Sequence, residues 1–477
     1  MRHIWIVAAV LAALLLGVLL ALSRIGTMAP TATGWAARTI CSGHLAAGRD
    51  LDAVLRELPP ELRPGWLHAR IGPDEDRVTV EMLGGWFPPL AQQEGWSSTA
   101  VLTEGIGCTL VHGTAPQVRL WPLEPLPAPD PSVPWPLGAA PALADDGTER
   151  GRLIDLGVDV QAVQGAIETA LTRGVDGPST TRALVVAVDG ELIAEGYAPG
   201  IGPDTPLPGW ELGRPLTDAI IGRLVHDSAL GIDDRDLRAD WERDERTRIT
   251  VRDLLTMTEG LDLEESYEPG SDLTHLLFRP GSAAEHAAAG QLEATPGTRF
   301  SSSTGSSALL CDLAHDVSDL GPELARELVF APLGMTSAFA EPDTTGVLTC
   351  GGGVHASARD WARLGQLYLD DGGWDGQVLL AEGWVAESTR PVAAADETPS
   401  GRHWWLNRHL DASRRIPWLP RDAFWGQGHQ GQLLLVVPSE RLVIVHLGAD
   451  HTGHEFGWDA EAFVSVVIEV LEGWDRD

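Results

Sequence analysis

The run Gly209-Trp210-Glu211-Leu212-Gly213-Arg214-Pro215, continued by Ala219-Ile220-Ile221-Gly222-Arg223-Leu224-Val225, decides the fold of this chain. Pro208-Gly209 marks a turn, and Leu216, Ile220 and Leu224 then recur at helical spacing, so the segment reads as a turn feeding a helix. Upstream, Ala183–Val188 and Glu191–Ala194 are joined by Asp189-Gly190, a strong signal for a two-residue hairpin. Downstream come Leu254–Leu261, Pro296–Gly305, Ala331–Met335, Gly351-Gly352-Gly353 with Ser357–Gly365, and Gly428–Gln432 ahead of a strand.

In that order, over roughly residues 155 to 470, these motifs resemble the penicillin-recognising serine hydrolases related to class C β-lactamases. That group also holds DD-peptidases, esterases and 6-aminohexanoate-dimer-type amidases. The resemblance implies an α/β fold of β-lactamase/transpeptidase type. An antiparallel sheet flanked by helices would carry an all-helical subdomain, inserted between about 215 and 365. It also implies a catalytic serine where Glu211 stands and a lysine where Arg214 stands, three residues apart and on one helix face. Alignment on Phe300 and Gly305 puts Ser302 at the position of the family's tyrosine. The Lys/His-x-Gly motif at the head of the edge strand corresponds to His429-Gln430-Gly431. The whole chain contains no lysine.

The replacements cannot repeat the family's chemistry. A guanidinium does not deprotonate in a protein, so Arg214 is no base. Glu211 attacking an amide or ester would form an anhydride, a poor resting intermediate. Ser302 lacks the acidity and reach of a phenol. The simplest expectation is a Glu211–Arg214 salt bridge one helical turn apart, with the carboxylate near the helix N-terminus. An alternative places a nucleophile within Ser301–Ser307, with His429 nearby, although the chain has no G-x-S-x-G elbow. His429, Gly431 and Gln432 are then expected to shape a binding edge, and Trp425 to line the pocket. The ligand would be a peptide-like or acyl small molecule held through the strand after Gly431. His451-Thr452-Gly453-His454-Glu455 is not H-E-x-x-H, and its histidines read as surface or capping residues, so neither metal nor cofactor is expected.

The formal charge of −34 argues against nucleic acid or an anionic membrane surface as partner. Residues 4–22 are an uninterrupted apolar run, long enough to span a bilayer. Residues 1–27 are therefore read as a signal anchor, with a cleaved signal peptide as the competitor; either way the main domain lies outside the cytoplasm. Residues 30–121 form a small amino-terminal α+β domain, with a helix over 49–58 and strands over 77–83 and 107–112. Residues 122–150 are a Pro-rich linker, and 151–477 the main domain. Cys41 and Cys108 bracket the amino-terminal domain and are expected to pair, whereas Cys311 and Cys350 read as buried thiols. Thr250–Asp253 and Ser357–Asp360 have the form of capping boxes. Three functions fit: a catalytically inactive ligand-binding homologue, an active amide or ester hydrolase with a non-standard nucleophile, and an envelope scaffold acting through its amino-terminal domain.

Overall fold

The computed structural model describes residues 26, 28–63, 65, 67–82, 96–111, 120–140, 158–175, 177–395, 397–451 and 456–472. The anchor expected over 1–27 lies outside them, apart from Gly26. Among the described residues no helix is long and apolar enough to cross a membrane.

The amino-terminal segment begins with helix α1 (28–40) and continues into α2 (Leu51–Glu57), where the Asp50 side chain accepts the Ala53 N–H. A four-stranded antiparallel sheet follows, in the order β1 (Leu67–Ile71), β2 (Arg77–Met82), β3 (Ser97–Thr103), β4 (Gly107–Val111). The Cys41–Cys108 disulfide ties the end of α1 to β4. The Pro-rich stretch has no helix or named strand over 120–140, and is fixed by its far end. There the Trp135 ring is buried, and Arg363 donates to the carbonyls of Pro136 and Gly138.

The main domain opens with α3 (Val160–Thr172), then β5 (Thr181–Val188) and β6 (Glu191–Tyr197). Asp189 and Gly190 between the strands have φ of 49° and 78°, as a type I′ turn requires. With β7 (Trp405–Leu406), β8 (Phe424–Gly428), β9 (Gln432–Val437) and β10 (Leu442–Gly448) they make one sheet, ordered β7-β8-β9-β10-β5-β6 and antiparallel throughout. Side chains alternate across it. Ala183, Val185 and Ala187 face the core shared with α4 (Gly213–His226) and the helical subdomain, while Leu184, Val186 and Val188 pack with α3 and the closing helix (Ala460–Glu472). Burial on both faces explains why these strands read as continuous apolar runs rather than alternating ones.

The helical subdomain contains Val251–Leu255, Asp272–Phe278, Ala283–Ala288 and α5 (Thr304–Ser318), but it is not all-helical: Phe339–Ala340 and Val354–Ala356 pair within it, and Val354–Ala356 also pairs with Leu207–Pro208. Thr250 and Asp253 exchange both bonds of a capping box. At α6 (Ala358–Leu369) only half the expected box exists: Ser357 accepts the Asp360 N–H, but the Asp360 carboxylate binds Ser337 and Arg363 instead. Cys311 and Cys350 are a second disulfide rather than thiols, joining α5 to the turn beneath α4. Gly213 is required there, because a Cβ would lie 1.8 Å from the Cys350 carbonyl oxygen.

The amino-terminal segment is stitched to the main domain by buried charge. Arg38 Nε donates to Glu341 at 2.7 Å, its Nη1 to the Leu277 carbonyl and its Nη2 to Thr349. Ser42 and the Cys108 N–H donate to the same Glu341 carboxylate, which is 1% exposed. Removing one partner of such a pair leaves an uncompensated buried charge, at a cost of about 3–5 kcal/mol. Arg38→Leu should therefore destabilise the protein by about that much in chemical denaturation, and Glu341→Leu, which also takes the acceptor from Ser42 and the Cys108 N–H, by at least as much.

Candidate functional site

The head of α4, the start of α5, the loop after Leu263, the end of β8 and the turn 429–431 converge on a cleft of about 950 Å³. Helix α1 supplies one wall through Thr31, Ala32 and Trp35. One 3-10 turn, Trp210–Leu212, precedes α4, and Trp210 has φ of 50°. A bulky residue in the left-handed region costs on the order of 1–3 kcal/mol. Ring contacts with Trp35 (6.3 Å), Tyr267 (5.8 Å) and Phe278 (6.2 Å) hold it there. Gly428, at the end of β8, passes so close that a Cβ would sit 2.5 Å from the Gly209 carbonyl and 3.0 Å from the Glu211 nitrogen.

Glu211 and Arg214 do not pair with each other. Glu211 Oε1 accepts the Tyr267 hydroxyl at 2.5 Å, and its Oε2 accepts the His429 N–H at 2.7 Å. Arg214 donates to Ser302 at 2.8 Å and Thr304 at 3.2 Å, and forms its ion pair with Glu265. The reason is local geometry. Glu211 lies in the turn before α4 rather than on the helix, so the three-residue spacing does not stack the two side chains on one face. Glu265 competes better because it also caps α5, accepting the Thr304 N–H at 2.8 Å and its hydroxyl at 2.6 Å. Burial holds the Glu265 carboxyl above its ordinary value, and Arg214 offsets only part of that rise. Burial, with the Glu211 charge beside it, holds the Tyr267 phenol well above its ordinary value. The His429 ring stacks on Tyr267 at 3.8 Å, and burial, assisted by His451, lowers it to about 3, leaving it neutral.

The other sequence-derived positions divide. Ser302, His429 and Gly431 border the cleft. Gln432 does not: its buried amide bonds the His429 and Gly448 carbonyls and fixes the turn. Trp425 is wholly buried in the core behind the sheet, and Trp405 lines the cleft in its place. The strand after Gly431, β9, is interior to the sheet and offers no edge. Its outer neighbour β8 pairs with β7 at Phe424 and Trp425. Within Ser301–Ser307, Ser302 meets Arg214 rather than His429, Ser303 caps α5, and Ser307 is buried against His403 at 3.3 Å. His451 borders the cleft, whereas residues 452–455, and so His454 and Glu455, lie outside the described residues. Among the described residues no group of three His, Cys, Asp or Glu side chains is placed to hold a metal.

Glu265 and Trp35 shape the site and were not reached from sequence, while Tyr267 is legible there only as part of the acidic loop, Glu264 to Pro296, that borders the site. One signal pointed to the first. A buried arginine needs a carboxylate, and Glu264-Glu265 is the acidic step of the loop bordering the site.

Beneath Ser303 and Ser306 lies Glu259, fully buried, whose carboxyl burial raises from 4.5 to about 7. The folded state holds that proton more tightly than the unfolded one. Its stabilisation is complete below the ordinary value and is lost as pH rises through 7. Glu259→Gln should therefore gain on the wild type between about pH 4 and about pH 8, by on the order of 3 kcal/mol in denaturant titrations.

Comparison with known proteins fits this geometry. Solved structures sharing the fold include a β-lactamase homologue from Bacteroides dorei DSM 17855 (TM-score 0.53, 18% identity, 66% of this chain and 99% of that one). EstCE1, described as a hydrolase with promiscuous acyltransferase activity, matches at TM-score 0.50 and 18% identity over 67% of this chain and 100% of its own. A penicillin-binding protein homologue from Caulobacter crescentus matches at TM-score 0.50 and 16% identity, over 65% and 97%. No curated protein matches. The family model described as Beta-lactamase matches residues 170–462, well over half of the sequence, and the chain belongs to the β-lactamase family of serine hydrolases.

Proposed function

We propose that this protein is a ligand-binding member of its family that no longer hydrolyses. One observation carries the reading: the polar side chains at the family's catalytic positions are already engaged by the protein groups around them. Arg214 is held by Glu265, Ser302 and Thr304, and Glu211 by Tyr267 and the His429 N–H. Ser302, the hydroxyl at the cleft floor, accepts from a guanidinium that cannot take its proton. Hydroxyl nucleophiles need an adjacent base, and this one has a permanent cation. The open volume remains, and suits a peptide-like or acyl small molecule. Both disulfides fit an oxidising compartment. The apolar run 4–22 would tether the protein to the membrane with the cleft outside the cytoplasm.

A second reading rests on the Tyr267–Glu211 contact, since a hydroxyl beside a carboxylate has the form of a nucleophile and its base. The raised phenol works against it, because phenolate is scarce at neutral pH.

Intact-mass analysis of the purified protein, after a fluorophosphonate and separately after a penicillin, should give no adduct. An adduct mapped to Ser301–Ser307 would overturn the reading in favour of a relocated nucleophile, and one on Tyr267 would favour the second. Glu211→Ser with Arg214→Lys and Ser302→Tyr should acquire the penicillin adduct that the wild type lacks.

A further inference from the structure

Where the amino-terminal segment meets the main domain lies a second, small cavity of about 40 Å³. Trp35 and Gln430 line both it and the cleft, so the two spaces share a wall. Three of its lining residues carry a buried nitrogen with no hydrogen-bond partner among the described residues: Arg49 Nε, Trp210 Nε1 and His355 Nδ1. None of the three residues is more than 8% exposed.

The rest of each side chain is held in place. Arg49 forms its ion pair with Glu57 through Nη2. The Trp210 ring meets Trp35, Tyr267 and Phe278, and the His355 ring stacks on Phe339 at 4.8 Å. A buried donor without a partner has lost its hydration with nothing in exchange, and native proteins leave few such groups. Three around one cavity point to a molecule that bonds them.

Their chemistry narrows what that molecule is. An indole N–H and the Nε–H of a guanidinium only donate. Burial lowers His355 to about 4, so its imidazole is neutral and one of its nitrogens is an acceptor. The occupant must accept two hydrogen bonds and be able to donate a third. A metal cation does not accept. An anion is opposed by the carboxylates of Glu57 and Glu341, which also line the cavity. An organic ligand needs about 300 Å³ or more. Water meets every condition: it requires only about 10–15 Å³ and, when buried, makes about three hydrogen bonds.

We infer a buried hydration site at this joint, taking one or two water molecules that accept from Arg49 Nε and Trp210 Nε1 and donate to His355 Nδ1. Arg49 belongs to the amino-terminal segment and the other two to the main domain, so the water bridges them beside the buried pair of Arg38 and Glu341. It also steadies Trp210, whose backbone is strained, and stands behind two residues of the cleft wall. The site is independent of what the cleft binds and of whether the protein hydrolyses.

Crystals of the full-length protein, purified in detergent and grown once without halide and once with sodium bromide, test this at a resolution that shows ordered water. Density for one or two waters within about 3.2 Å of Arg49 Nε and Trp210 Nε1 is expected, with no anomalous bromide peak there. A bromide peak overturns the water assignment in favour of an anion. A cavity without density, or the three nitrogens paired to protein groups, overturns the site. In solution the Trp210 indole proton, assigned by its loss in Trp210→Phe, should show cross-relaxation with a long-lived water, and the lack of it counts equally against the site.

Discussion

A guanidinium buried at Arg214 cannot shed its charge, and the architecture of the cleft follows from that constraint. A lysine at the same place can lose its proton when desolvated and act as a base; arginine must be paired wherever it is buried. The partner comes from outside α4. Glu265, on the loop that borders the site, answers Arg214 and caps α5 with the same carboxylate. One residue thus fastens the loop to two helices, and Thr304 and Ser302 also accept from the cation. A pair so buried adds little net stability against a well-packed apolar alternative, but losing either member would be costly. What it supplies is a fixed loop conformation.

That loop conformation brings Tyr267 to Glu211, and through Tyr267 the site reaches the amino-terminal segment. The rings of Trp35, Trp210, Tyr267, Phe278 and His429 form one connected cluster, in which α1, the turn before α4, the loop and the turn after β8 each contribute. The strained backbone at Trp210 is tolerated because this cluster fixes its ring. The same union is made a second time by charge. Glu341 receives Arg38, Ser42 and the Cys108 N–H, while Glu57 meets Arg49 and Arg182 and lends its carbonyl to Gln430. The amino-terminal segment is thus part of the cleft wall.

Legibility in the sequence tracked the range of the interactions involved. The Asp189-Gly190 hairpin, the Thr250 capping box and the helices near 160–173 and 460–471 depend on residues a few positions apart, and each forms where the local pattern puts it. Cys41 and Cys108 pair as expected from their bracketing of one segment. Failures came where a local motif had a distant competitor. Asp360 has the position to complete a capping box, but Ser337 and Arg363 take its carboxylate. Glu211 and Arg214 have the spacing of a helical ion pair, but a 3-10 turn and Glu265 separate them. Trp425 shares a face of the sheet with Trp405, its register partner, but Arg415 and Phe456 cover it there, so Trp405 reaches the cleft instead.

Two of the acidic residues that line the cleft, Glu265 and Glu211, are held by different kinds of partner. Glu265 is accounted for by what it touches: a cation, a helix N-terminus and a hydroxyl. Glu211 is accounted for by neutral donors. Its two oxygens accept the buried Tyr267 hydroxyl and the His429 N–H, so one carboxylate holds the loop to the turn after β8, and a serine there would be too short to replace both bonds. Its place in the turn ahead of α4 also suits a negative charge, because the unpaired N–H groups of the helix's first turn lie there. The carboxylate thus joins the loop, the turn and the head of the helix around one wall of the cleft, as Glu265 joins the loop to α4 and α5 around the other.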